Sequence, residues 1–268
     1  DTISSMNRDW EKRDFSEYDV VYNVSGLAHA NARQASEDLY YEVNGRLPVE
    51  MARKAKAEGV SLFVHMSSMI IYGNMSKLGQ KKMIGPNTIA EPDGVYGKSK
   101  IMSEEGLKAL EDDNFHVAII RPPLIYGENA RDNFPRLIKF ALSSPIFPDL
   151  YNEQSMIYID NFCELIKLIA DHLQGGIYYP QQEDYIQTSK IVADIARKAK
   201  HPMILTKIFN PALRLLSRRI GFIQKAFGNL TYELQMSNHF DGAYRIVSYE
   251  ESIHRIVKKQ ATKQPSKT

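Results

Sequence analysis

Two periodicities organise the first half of the chain. Short apolar runs lie at Asp19-Val20-Val21-Tyr22-Asn23-Val24, Ser61-Leu62-Phe63-Val64-His65-Met66 and His116-Val117-Ala118-Ile119-Ile120. Runs of this length without polar alternation predict strands buried on both faces. Between the first two, apolar residues recur at spacings of about four (Leu39, Val43, Leu47, Met51, Ala55), which predicts a helix from about Glu37 to Ala57, ended by Gly59. A second helix is expected over about Val95 to Glu111. The stretch Asn74 to Asp93, with Gly79, Gly85, Pro86 and Pro92, reads as a long loop of the kind that covers a site. After Tyr126-Gly127 the rhythm changes. Helical patterns cover about Phe134 to Leu142, Asn161 to His172, Ser189 to Lys200 and Pro211 to Phe227, interrupted by short strands at Met156-Ile159 and Gly176-Tyr179.

Strand and helix alternating with short turns imply an α/β fold, a doubly wound parallel sheet, followed by a smaller helix-rich lobe. Ligands of such sheets sit at the carboxyl ends of the strands, which here carry Ser25-Gly26, Ser67-Ser68 and Pro122-Pro123. The domain division expected is 1–127 for a partial dinucleotide-binding domain and 128–258 mainly for a substrate lobe, some of whose segments return to the first. Residues 259–268 are expected to form a disordered tail.

Composition narrows this little. The chain has 268 residues, is 43% apolar and 25% charged, and has a formal net charge of +2, too small to argue for nucleic acid. With one cysteine, Cys163, no disulfide framework is possible, and a cytoplasmic location fits. Cys163 sits in an apolar pattern that favours buried packing over reactivity. The histidines show no metal-ligand spacing, and His29 reads as structural or solvated. No run is long enough for a membrane span. Met203 to Phe227 is both apolar and basic (Arg214, Arg218, Arg219, Lys225), and reads as a helical cover on the second lobe rather than a membrane-surface helix, broken at Pro211 and Gly221.

The chemistry concentrates in Tyr96-Gly97-Lys98-Ser99-Lys100. Tyr96 and Lys100, four apart, share one helix face, and a nearby ammonium favours a tyrosinate. The pair alone is a weak signal, and an exposed helix pair would have the same sequence. It gains weight from Ser68 at a strand end, from Gly26, which would let a dinucleotide approach the backbone, and from Arg121-Pro122-Pro123-Leu124-Ile125-Tyr126-Gly127 after the third strand.

Together with Tyr41-Glu42-Val43-Asn44-Gly45 and Ser155 to Asn161, these segments resemble, in order and spacing up to about Tyr179, the extended short-chain dehydrogenase/reductase family. The likeness is to its nucleotide-sugar epimerase and 4-ketoreductase branch. The resemblance implies NAD or NADP as cofactor and a nucleotide-diphosphate sugar as substrate, with a homodimer as a candidate assembly. Tyr96 would be the general acid/base, Lys100 would hold the nicotinamide ribose, and Ser68 would share the substrate oxygen. Val24, Ser25, Gly26, Asn44 and Pro123 would line the cofactor, with Asp1 near adenine. Asn133 would contact the substrate diphosphate. Gln154 stands where the family often has an arginine on the phosphates, and a neutral amide lacks that charge-assisted contact. Leu124 replaces an asparagine frequent in sugar 4-epimerases. The Pro-Pro-Leu-Ile-Tyr-Gly form resembles enzymes of deoxy- or amino-sugar nucleotides for surface polysaccharides.

One expected motif is absent. The family's Gly-x-x-Gly-x-x-Gly turn, which seats the pyrophosphate at a helix N-terminus, does not occur in the 268 residues; the nearest spacing, Gly94 and Gly97, follows no strand. The resemblance therefore implies a chain lacking a first βαβ unit of on the order of 40–60 residues, with weakened cofactor binding. A non-catalytic binding or scaffold remnant of the family is the alternative reading.

Overall fold

The computed structural model describes residues 9–27, 36–130, 133–217 and 219–263. In chain order the strands are β1 (Val20–Asn23), β2 (Leu62–Met66), β3 (Met83–Ile84), β4 (His116–Ile120), β5 (Leu124–Tyr126), β6 (Ile146–Pro148), β7 (Met156–Tyr158), β8 (Gly176–Tyr178), β9 (Ile204–Thr206) and β10 (Thr231–Tyr232). The α-helices are α1 (Glu37–Tyr40), α2 (Leu47–Ala57), α3 (Val95–Lys108), α4 (Phe134–Ser143), α5 (Ile159–Asp171), α6 (Thr188–Lys198), α7 (Asn210–Leu216), α8 (Gly221–Phe227) and α9 (Tyr249–Lys263). The chain forms two compact units. The first comprises Asp1–Gly73, Ile89–Pro122 and Ile166–Tyr178; the second comprises Asn74–Thr88, Pro123–Leu165 and Tyr179–Thr268.

In the first unit a parallel sheet runs in the order β1-β2-β4-β8, with Val21 opposite Phe63, Phe63 opposite Val117, and Ala118 opposite Gly176. The uninterrupted apolar runs of β2 and β4 are explained by burial along nearly their whole length, as inner strands require. β1 alternates half-buried and buried positions and, among the described residues, has a neighbour on one side only. Helices α2 and α3 pack on each other and against the sheet. Phe15, Val21, Ala52, Phe63, Leu107 and Val117 fill the core between them.

The helix expected over Glu37 to Ala57 is interrupted. Between α1 and α2 the chain makes a π-helical turn over Tyr41–Arg46. The wider turn shifts the helix face, so Tyr40, Asn44, Gly45, Pro48, Val49 and Ala52 are buried while Leu39 is exposed. The stripe expected from a uniform 3.6 period (Leu39, Val43, Leu47, Met51, Ala55) is therefore displaced, and only Ala55 of that stripe is fully buried.

The second unit has its own core around Tyr126, Phe134, Phe147, Tyr158, Ile195 and Phe227. Its strands are short parallel pairs: β3 with β10, β5 with β7, and β6 with β9. The expected long loop is thus partly a strand, with Met83–Ile84 held against Thr231–Tyr232. Pro211 and Gly221 divide the 210–227 stretch into α7 and α8, and here the expected cover fails in part. α8 buries Ile223, Ala226 and Phe227, whereas α7 buries no residue. The chain beyond 258 is also not tail from that point: α9 continues to Lys263, anchored by buried Ile253 and Ile256. Cys163 is exposed, contrary to the packing expected of it, because the buried stripe of α5 is formed by Phe162, Leu165 and Ile169. Its thiol pKa is nonetheless raised, by partial burial first and then by Asp160, which favours the thiol over the thiolate.

Candidate functional site

The first unit assembles its polar residues at the carboxyl ends of β1, β2 and β4. At the end of β1, the Asn23 carboxamide oxygen accepts from the Ser25 backbone N–H (2.9 Å) and hydroxyl (2.5 Å), turning the chain sharply. Val24 and Gly26 are exposed and Ser25 is half-buried. Asn44, fully buried in the π-helical turn, grips the next residue from both sides. Its Oδ1 accepts from the Leu27 N–H (2.7 Å), and its Nδ2 donates to the Leu27 carbonyl (3.2 Å) and to Ser99 Oγ (3.3 Å). A π-helical turn widens the helix radius, and here it sets an amide side chain against the strand end.

Lys100 arrives at the same place from α3. It is 2% exposed, and its Nζ donates to the Met66 carbonyl at the end of β2 (2.7 Å). A Cβ placed on Gly26 would lie 3.3 Å from Asn44 Oδ1 and 3.6 Å from Lys100 Nζ, so the exposed strand-end backbone sits directly over an amide and an ammonium. Burial lowers the Lys100 pKa to about 8, with the carboxylate of Glu104 acting in the opposite sense. Beneath it His65 is fully buried, its Nε2 3.0 Å from Ser103 Oγ. Burial and then Lys100 hold its pKa well below the usual imidazole value, so it is neutral.

Ser68 follows β2 and caps a 3₁₀ turn over Met69–Tyr72, its Oγ accepting from the Ile70 N–H (3.3 Å). Capping engages a lone pair and leaves the hydroxyl proton for donation. The Met69 N–H is tied to the Pro122 carbonyl (2.9 Å), which ties this turn to the end of β4. Tyr96 is half-buried in the first turn of α3. The next residue has to be glycine: a Cβ on Gly97 would lie 2.6 Å from Pro92 Cβ and 3.3 Å from the Ile70 carbonyl. That close approach lays the start of α3 against the Ser68–Tyr72 turn.

A charged cluster that sequence reasoning missed underlies this arrangement. Glu104, on α3 one turn beyond Lys100, is 2% exposed and accepts from Arg121 Nε (3.0 Å) and from the Ser67 hydroxyl (2.5 Å). Arg121 also reaches Glu104 Oε2 and donates to the Tyr72 hydroxyl (2.6 Å). The i, i+4, i+8 spacing Tyr96, Lys100, Glu104 was the available signal. The network joins α3, the ends of β2 and β4, and the turn after Ser68.

The second unit holds the other expected site residues. Pro123 is buried just before β5, and Asn133 is half-buried at the start of α4. Gln154, the neutral amide where the family often has an arginine, sits among backbone acceptors. It is 2% exposed, and its Nε2 donates to the carbonyls of Lys225 (3.1 Å), Ala226 (3.1 Å) and Gly228 (3.0 Å), capping the end of α8. A donor surrounded by backbone acceptors is satisfied within the fold. Asp1 and His29 lie outside the described residues.

The site in the first unit fits the nicotinamide-ribose end of a dinucleotide. Lys100 keeps donor capacity beyond its bond to Met66, and among the described residues the Nδ2 of Asn23 is buried without a partner. The dinucleotide's pyrophosphate has no matching glycine-rich cradle in the 268 residues.

Comparison with known proteins places the chain among relatives of known activity. The UDP-glucose 4-epimerase of Vibrio cholerae is 30% identical over 185 residues, 66% of this chain and 56% of its own length. The dTDP-4-dehydrorhamnose reductase of Mycobacterium tuberculosis is 23% identical over 171 residues, 63% of this chain and 55% of its own. The chain thus spans about half the length of the curated relatives it matches. Among solved structures, the UDP-glucuronic acid 4-epimerase from Bacillus cereus in complex with NAD superposes with a TM-score of 0.70 at 15% identity, covering 94% of this chain and 76% of that one, which establishes the shared fold. Residues 5–179 match the profile of the NAD dependent epimerase/dehydratase family, and this chain belongs to that family.

Proposed function

We propose that this chain supplies the nicotinamide-side and proton-transfer groups of a nucleotide-sugar 4-epimerase or 4-keto-6-deoxy-sugar reductase for surface polysaccharide precursors. The observation that carries the reading is the convergence of Gly26, Asn44 and Lys100 at the strand ends, with Tyr96 one helical turn before Lys100. Lys100, with Val24, Ser25, Gly26 and Asn44, holds the ribose end of NAD or NADP, and Pro123 flanks it. The nicotinamide supplies or accepts hydride. Tyr96 gives a proton to the sugar 4-oxygen or takes it up, and the Lys100 ammonium stabilises the phenolate between those events. Ser68 donates to the same oxygen, and Asn133 faces the substrate diphosphate. That relatives include both a 4-epimerase and a 4-ketoreductase supports the shared chemistry at carbon 4 and leaves both reactions within the reading.

The test is turnover of UDP-glucose and dTDP-4-keto-6-deoxy sugars with NAD or NADPH, with products followed by NMR. A reductase consumes NADPH stoichiometrically, whereas an epimerase consumes none. Tyr96→Phe is expected to lower turnover by about 10²–10⁴-fold. Unchanged turnover in that variant contradicts the role given to Tyr96.

A second reading has its own support. The burial of Gln154 among carbonyls favours a non-catalytic binding remnant of the family. Saturable binding of the sugar nucleotide with no conversion under any cofactor condition would select it.

A further inference from the structure

The stretch from Ile195 to Tyr232 carries eight lysines and arginines and no aspartate or glutamate. Over the same stretch the second unit turns aliphatic side chains to solvent: Ile204 is 68% exposed, Ile208 77% and Leu215 70%, with Leu216 and Ile220 also exposed. Ile146 on β6 stands opposite Ile204 on β9 and is exposed as well, so the apolar surface extends across that strand pair. Of the three leucines in α7, Leu213 packs against the core while Leu215 and Leu216 face outward. Lys207, Arg214 and Arg219 are exposed among them.

Single exposed aliphatic residues are ordinary on protein surfaces; a run of them within a stretch of one charge sign marks an interaction surface. An acidic protein would be served by the cations alone. A single-stranded nucleic acid would call for aromatic stacking platforms, whereas the exposed apolar residues here are mainly Ile and Leu. An anionic bilayer rewards both components, the cations at the headgroups and the aliphatic side chains at the acyl boundary. No helix among the described residues is long and apolar enough to cross a membrane, so the contact is with the surface. We propose that the face formed by β9, α7 and the turn to Ile220 docks this protein on anionic phospholipid membranes.

The test is co-sedimentation of the purified 268-residue protein with vesicles of mixed phosphatidylglycerol and phosphatidylcholine, and with phosphatidylcholine alone. Partition is expected to be about tenfold or more higher on the anionic vesicles and to fall as sodium chloride is added. Two variants probe the two components separately. Ile208→Ser with Leu215→Ser removes apolar insertion, and Arg214→Gln with Arg219→Gln removes charge. Each is expected to lower partition by about tenfold, with the thermal midpoint unchanged because all four positions are exposed. Should one pair lower the midpoint, the other pair decides. Equal partition on both vesicle types overturns the proposal. So does binding that survives the aliphatic substitutions and is matched by heparin or an acidic polypeptide, which would assign the face to a polyanionic partner instead.

Discussion

At Lys100 the proposed role and stability pull against each other. An ammonium buried to this degree costs desolvation free energy that one bond to the Met66 carbonyl and the Glu104 charge only partly offset, and its pKa falls to about 8 from 10.5. The sign follows from proton binding. Between pH 8 and 10.5 the unfolded lysine keeps its proton while the folded one releases it, so stability rises with pH across that window. Below pH 8 both are charged and the folded protein carries the full cost. Lys100→Met is therefore expected to unfold at a higher temperature than the wild-type protein at pH 7, by a margin that shrinks as pH rises from 8 to 10.5. Thermal unfolding of both proteins across that range checks it. A margin independent of pH, or a variant less stable at pH 7, contradicts the assignment.

At the scale of elements, α3 joins the site to the fold. It brings Tyr96, Lys100 and Glu104 to the strand ends, and Gly97 sets how closely its first turn approaches the loop after β2. Gly97→Ala would drive a methyl group into Pro92, and is expected to cost about 1–3 kcal/mol by overpacking, read as a lowered denaturant midpoint. An unchanged midpoint would mean that the approach is softer than the distances indicate. The parts of this frame that could be read from sequence are those where burial is complete. β2 and β4 are apolar throughout because both faces are covered, and their ends were located to within a residue. The π-helical turn was not legible, since a uniform 3.6-residue period assigns Leu39 and Val43 to a face that the inserted turn rotates away. In the site, Gly26, Asn44 and Lys100 were recognisable through family resemblance. Glu104, and with it the bonds it accepts from Arg121 and Ser67, was not, because a glutamate on a helix reads as solvated until its partner, 17 residues on, is seen to bury it. The surroundings of Gln154 were not legible for the converse reason: nothing local announces that four backbone and side-chain acceptors will surround it.

At the scale of the molecule, the chemistry-bearing residues of the first unit gather at one end of its sheet, while the apolar, basic surface belongs to the second unit. In the proposed reading the 268 residues supply groups for the nicotinamide end of a dinucleotide, so contact with the free cofactor should be strongest at that end. Saturation-transfer NMR of NAD with the purified protein tests this most directly. The nicotinamide and adjoining ribose protons are expected to receive more saturation than the adenine protons, and that preference should vanish in Lys100→Met. Stronger saturation at adenine, none at the nicotinamide, or an unaltered pattern in Lys100→Met would contradict the account.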